Sequence, residues 1–110
     1  MRELGIMDAA TAKAQRDGML LSVAGCVITR QRPGTAKGFV FLSLEDETGI
    51  INIIVQPSLF DRRRQVCTTA PYIRVKGVLQ SISGVISLKA GELEALTFQD
   101  AAEIASHDFH

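Results

Sequence analysis

The chain has 110 residues, 46% of them hydrophobic and 22% charged, which gives one small domain a real core and excludes a two-domain enzyme. Twelve basic and twelve acidic residues cancel to a formal net charge of +0, so bulk electrostatics selects no partner. The balance conceals a gradient: residues 19–89 hold nine basic and four acidic groups, whereas residues 90–110 hold five acidic groups and no basic one. A +5 middle followed by a −5 tail carries more information than their sum.

Cys26 and Cys67 lack CxxC spacing, and no leading segment joins a basic region to an apolar run and a small-residue cleavage site. No apolar stretch approaches the roughly 18 residues that cross a bilayer. The expectation is a cytoplasmic chain with no membrane partner and two reduced thiols packed as small hydrophobes. With no Trp and one Tyr, the five Phe supply nearly all the aromatic surface.

In chain order, residues 8–17 are rich in Ala and straight-chain residues behind Asp8, which predicts a short capped helix ended by Gly18. From Met19 to Arg30 apolar and small or polar residues interleave as in a strand. Residues 31–38 (QRPGTAKG) form the most strongly punctuated loop in the chain. Phe39–Leu44 and Ile50–Val55 are two β-like runs separated by Glu45-Asp46-Glu47-Thr48-Gly49, a hairpin pattern. Pro57 ends the second run, and Leu59, Phe60, Arg63 and Val66 then recur at helical spacing, predicting one connecting helix over residues 58–66. Tyr72–Gln80 alternates with Ile73, Val75, Gly77 and Leu79 on one face. Residues 81–84 make a turn, and Val85–Leu88 pairs back. Beyond Gly91 the weakly apolar acidic segment reads as an edge segment or short helix and a frayed end.

Five strands with a helix between the third and fourth predict a mainly β fold: the five-stranded Greek-key barrel known as the OB-fold, with a short N-terminal helix. The two hairpins leave no space for the helices of a doubly wound sheet. The expected division is a helical lead-in over 1–18, a nucleic-acid-binding barrel over 19–91 and an acidic tail over 92–110.

Catalytic chemistry finds little support. Glu45, Asp46 and Glu47 are dense enough to suggest a metal, but their place between two strands favours a solvated turn in which Asp46 accepts backbone hydrogen bonds. His107 and His110 lie at the chain end, where nothing orients them. Gly34–Gly38 resembles a phosphate cradle only faintly, lacking GxxxxGK[ST] and a following helix. No catalytic residue, metal ligand or cofactor is assigned.

Binding is better supported. Arg30, Arg32 and Lys37 bracket the long loop, and Phe39 and Phe41 follow two apart on the next strand, so they face the same way. Val40, Leu42 and Leu44 make the better core, which sends the two Phe outward. Across the hairpin, Asn52 is the one polar residue of an apolar strand. Cations neutralise phosphates, Phe faces stack bases and an amide reads a base edge, a combination suited to single-stranded nucleic acid. Arg74 and Lys76, on the face of Tyr72, would widen a basic groove. Arg62, Arg63 and Arg64 point about 100° apart on a helix and read as a solvated surface rather than one patch.

The runs Val27–Gly38 (VITRQRPGTAKG), Phe41–Gly49 (FLSLEDETG) and Ile53–Val55, with the ending Ser106–His110 (SHDFH), resemble the C-terminal OB domain of bacterial error-prone DNA polymerases, the C-family enzymes like the DNA polymerase III alpha subunit. RQRPGTAKG is the specific part of the match; F-L-x-L-x-D-x-T-G marks OB domains generally. The resemblance implies a non-catalytic module that handles single-stranded template DNA near the polymerase site during damage-induced mutagenic synthesis. The polymerase chemistry itself would lie upstream of this chain. The same hairpin resembles the anticodon-binding OB domain of class II aminoacyl-tRNA synthetases, which implies that Phe41 stacks on a base and Asn52 contacts a neighbouring one. The long loop departs from that pattern. Two alternatives to single-stranded DNA binding follow: anticodon recognition, and docking to other mutasome or replisome proteins, which the acidic tail suggests.

Overall fold

In the computed structural model, which describes residues 6–32, 34 and 37–107, the chain begins with α1 (Ala9–Lys13). Asp8 caps it, Oδ1 accepting the Thr11 N–H at 2.7 Å. The helix stops short of the expected Asp17. Only Ala9 and Ala12 bury against the barrel, and so short a helix persists only as far as tertiary packing supports it. Gly18 then turns the chain with φ +89°.

Five strands follow, β1 (Leu20–Gln31), β2 (Val40–Asp46), β3 (Gly49–Val55), β4 (Tyr72–Ile82) and β5 (Val85–Ala95). They close into a barrel of order β1-β2-β3-β5-β4, antiparallel except for the β3–β5 pair. Alternation decides what enters: Leu42, Leu44, Ile51, Ile53, Val55, Ile73, Val75, Leu79, Leu88 and Leu93 are all at most 2% exposed. The β2 phase is the expected one, with the aliphatic set inward.

The acidic turn between β2 and β3 is structural. Asp46 Oδ1 accepts both the N–H and the hydroxyl of Thr48 at 2.7 Å, and Oδ2 accepts the Ala9 N–H at 2.7 Å. One carboxylate thereby organises the hairpin and docks the first turn of α1.

Between β3 and β4 lie two helices, not the single one expected: α2 (Pro57–Arg62) and α3 (Arg64–Thr69). The break falls at Arg63, with φ −125° and ψ 34°. No Gly or Pro marks it, so periodicity ran straight through. β5 continues past Gly91 to Ala95, carrying Glu92 and Glu94 into the barrel wall rather than a tail. α4 (Phe98–His107) then begins with a reciprocal cap, Thr97 Oγ1 accepting the Asp100 N–H and Asp100 Oδ2 accepting that of Thr97. The Tyr72 and Phe98 rings meet edge to face at 5.9 Å. His110 lies outside the described residues.

Two features hold β4 against β5. Ser83 and Gly84 have φ of 52° and 81°, as a two-residue type I′ turn requires. A register shift falls at Lys76/Gly77, where a Cβ on Gly77 would overlap the Lys89 carbonyl.

Candidate nucleic-acid interface

Strand register sorts the outer wall into rows. One runs Gln31–Phe41–Ile54–Lys89–Val78–Leu20, each residue the cross-strand partner of the next. The adjacent row is Thr29–Ser43–Asn52–Ser87–Gln80, in which Ser87 is buried at 9% exposure. Neither row contains an acidic residue. Beyond the second row lie Ile50, paired with the exposed Glu45, and the hairpin-tip pair Ile82 and Val85, the three aliphatic side chains being respectively 41%, 63% and 62% exposed. A ring-and-cation stripe therefore lies beside a polar stripe, with aliphatic groups beyond.

Phe41 stands on the outside, half-buried, between Gln31 and Ile54, and Phe39 is half-buried just before β2. Asn52 is exposed. The Thr29 hydroxyl donates to Ser43 Oγ at 2.9 Å, and Ser43 Oγ donates to Asn52 Oδ1 at 3.3 Å. That chain occupies the amide oxygen and turns the Asn52 amide N–H groups toward an acceptor, such as a base carbonyl or ring nitrogen.

The basic candidates separate. Lys37, with φ 56°, and Arg32 are exposed on the loop between β1 and β2. Arg32 Cζ lies 4.7 Å from the centroid of the Phe60 ring. Arg30 turns the other way: its Nε donates to the Cys67 carbonyl at 2.9 Å and Nη2 to that of Ala70 at 2.6 Å. These are the orphan acceptors at the end of α3, so Arg30 is a helix cap, not the backbone clamp expected. Burial pushes the neighbouring Cys67 thiol above its ordinary pKa, and the Arg30 charge opposes that rise.

Arg74 is remote from Phe41, whereas Lys76 stands two residues from Val78 of the first row on β4. On β1, the partner of Arg74 is Ala24 and that of Phe41 is Gln31. Seven residues of strand separate them, roughly 23 Å along the chain. Arg74 is ion-paired with Glu94, and the register sets Glu92 opposite Lys76. The acidic segment expected as a tail thus neutralises part of the expected basic groove.

Lys89 is the cation that sequence reading missed. Its signal was the outward phase of Val85, Ser87 and Lys89, lost because the strand was ended at Leu88. Ser43, Thr29 and Ser87 carry no signal without the register.

Comparison with known proteins identifies the family of the barrel. Over 106 residues the chain is 42% identical to the error-prone DNA polymerase of Mycolicibacterium paratuberculosis, a match covering 96% of this chain and 10% of that protein. The chain thus spans about a tenth of the length of that relative. An asparaginyl-tRNA synthetase from Pyrococcus horikoshii superposes with a TM-score of 0.72 at 20% identity, over 86% of this chain and 24% of that one. A replication protein A heterotrimer bound to ssDNA superposes at 0.61 and 22% identity, over 89% and 70%. At those identities the structures share the fold. Residues 21–96, nearly the whole barrel, match the sequence pattern of the OB-fold nucleic acid binding domain, and the chain belongs to that family.

Proposed function

We propose that the chain is a non-catalytic module of an error-prone DNA polymerase that binds single-stranded template DNA across β2, β3 and β5. The observation that carries this reading is the pair of adjacent rows: Phe41 and Lys89 on either side of Ile54, and Asn52 bonded by Ser43 through its amide oxygen, with no carboxylate in either row. Phe41 stacks on a base, Asn52 donates to the edge of the next, and Lys37, Arg32 and Lys89 face the phosphates. Similarity to a DNA polymerase and the fold shared with a protein bound to ssDNA support this choice of nucleic acid.

Fluorescence anisotropy with labelled oligo-dT at low and raised salt tests it. Expected are binding that weakens steeply with salt and a loss in Phe41→Ala. Salt-insensitive affinity, or affinity unchanged in Phe41→Ala and Asn52→Ala, rejects it. Tighter binding of an anticodon stem-loop than of DNA of equal length would favour the tRNA reading. The exposed Ile50, Ile82 and Val85 favour a second role, docking to a protein of the same assembly; Val85→Asp would abolish that contact and spare oligo-dT.

A further inference from the structure

Beyond the end of β1 the surface opens into a cavity of about 400 Å³ whose lining includes Arg30, Gln31, Arg32, Phe60, Arg64 and Thr68 and, among the described residues, no acidic one. Phe60 is 3% exposed. The guanidinium carbons of Arg32 and Arg64 each lie 4.7 Å from the centroid of its ring, so the two cations stand within twice that distance of each other. Two like charges within that range favour an anion between them. Among the described residues, the one carboxylate paired with either is Asp61, 3.2 Å from Arg64 in a pair that is 56% and 69% exposed at its two side chains and therefore well screened.

The break at Arg63 accounts for Arg64. It separates the arginine triplet, so that Arg64 lies over Phe60 while Arg62 and Arg63 line a different groove beside β4 and β5. That second groove also has Arg74 and Lys76, but Glu92 and Glu94 line it as well. Among the described residues, the counter-charge at the Phe60 pocket is the exposed Asp61 partner of Arg64, which is not part of the lining.

We propose that the Phe60 pocket binds a phosphate of the single strand, the one adjoining the base stacked on Phe41; this rests on the reading above. Gln31 links the two places, since it lines the pocket and is the cross-strand partner of Phe41. Two guanidinium forks suit the oxygens of a phosphodiester better than ammonium groups do. The Arg30 cap fixes the wall of the pocket by holding the end of α3.

The experiment measures oligo-dT affinity against salt for the wild-type chain, R32Q/R64Q, R32K/R64K and R62Q, with a melting temperature for each. Losing the contact to that one phosphate should reduce the slope of log K against log salt by about 0.7 in R32Q/R64Q. R62Q should keep the wild-type slope, and R32K/R64K should keep most of the slope while binding several-fold more weakly. A folded R32Q/R64Q with the wild-type slope overturns the pocket and leaves the single-strand reading standing. Wild-type protein that binds no oligonucleotide at any salt overturns both. Should R32Q/R64Q fail to fold, a scan of single neutral methylphosphonates along the oligonucleotide, bound by the wild-type chain, decides instead. One position that weakens binding well beyond the rest supports the site, and a uniform scan overturns it.

Discussion

Arg30 Nε stands 2.9 Å from the carbonyl oxygen of Cys67, thirty-seven residues away, and so stitches the end of β1 to the end of α3. A second bond, from Nη2 to the Ala70 carbonyl, completes the cap. Arg30→Gln is expected to lower stability by about 1.5–3 kcal/mol, the range for hydrogen bonds made by a charged group. Chemical denaturation measures it. A stability loss below 0.5 kcal/mol, roughly the scatter of exposed surface substitutions, would show that the cap is ornamental.

Phe41 and Leu42 are neighbours on β2 that face opposite ways, and substitution should separate their roles. Phe41→Ala should weaken oligonucleotide binding by about 1–3 kcal/mol while leaving the melting temperature nearly unchanged. Leu42→Ala empties a site that is 1% exposed and should cost about 2–5 kcal/mol of stability. Titration and thermal melting of the same two variants check both halves.

Asn52 should govern which bases are preferred more than how tightly any strand is held. Asn52→Ala is expected to flatten the differences among oligo-dT, oligo-dC and oligo-dA and to keep the salt slope of the wild-type chain, because an amide contributes no charge. Ser43→Ala should move the preference in the same direction, since it frees the amide from the hydroxyl that orients it. Equal base preference in all three proteins would remove Asn52 from the interface.

Gly77→Ala places a methyl group where the Lys89 carbonyl stands. The expected result is a loss of at least 2 to 3 kcal/mol, about what overpacking of a tight site costs, with weaker DNA binding because Lys89 moves with its strand. Gly84→Ala meets open space and is strained only by its φ of 81°. It should cost less, roughly 1 kcal/mol.

The raised pKa of Cys67 gives a pH dependence with a definite sign. The folded chain favours the neutral thiol, so this contribution is fully present below the ordinary thiol pKa of about 8.5. It is lost as pH rises through the higher folded value. Stability of the wild-type chain should therefore fall on the alkaline side more than that of Cys67→Ala or Cys67→Val. Half-buried Cys26 should react with a thiol reagent before Cys67, which is 2% exposed.

How much of this was legible beforehand depends on the range of the interaction involved. Period-two alternation made the barrel and the outward turn of Phe41 readable, because it acts between neighbours in sequence. The Asp46 turn was readable for the same reason, since Oδ1 accepts from Thr48 only two residues on, whereas the Oδ2 bond from Ala9 spans thirty-seven residues. What escaped was decided at long range. Whether an arginine caps a helix, as Arg30 does, or lies over a ring, as Arg32 does, depends on where α3 ends in space. The pairing of Arg74 with Glu94 depends on β5 running on past Gly91, where composition alone suggests a tail. Lys89 joins Phe41 only through the parallel β3–β5 ladder, a contact between strands far apart in the chain.

The tight Ser83–Gly84 bend has a consequence for everything mounted on β5. With only two residues at the reversal, Ile82 and Val85 are locked as partners, and the returning strand inherits its phase from them as far as Ala90, where the register shift falls. One additional residue spliced in there would invert that phase if the ladder stayed in place. Ser87 and Lys89 would rotate into the hydrocarbon interior while Leu88 swung out to water. Two residues of hairpin thus act as the clock for a wall of the molecule several turns of chain away.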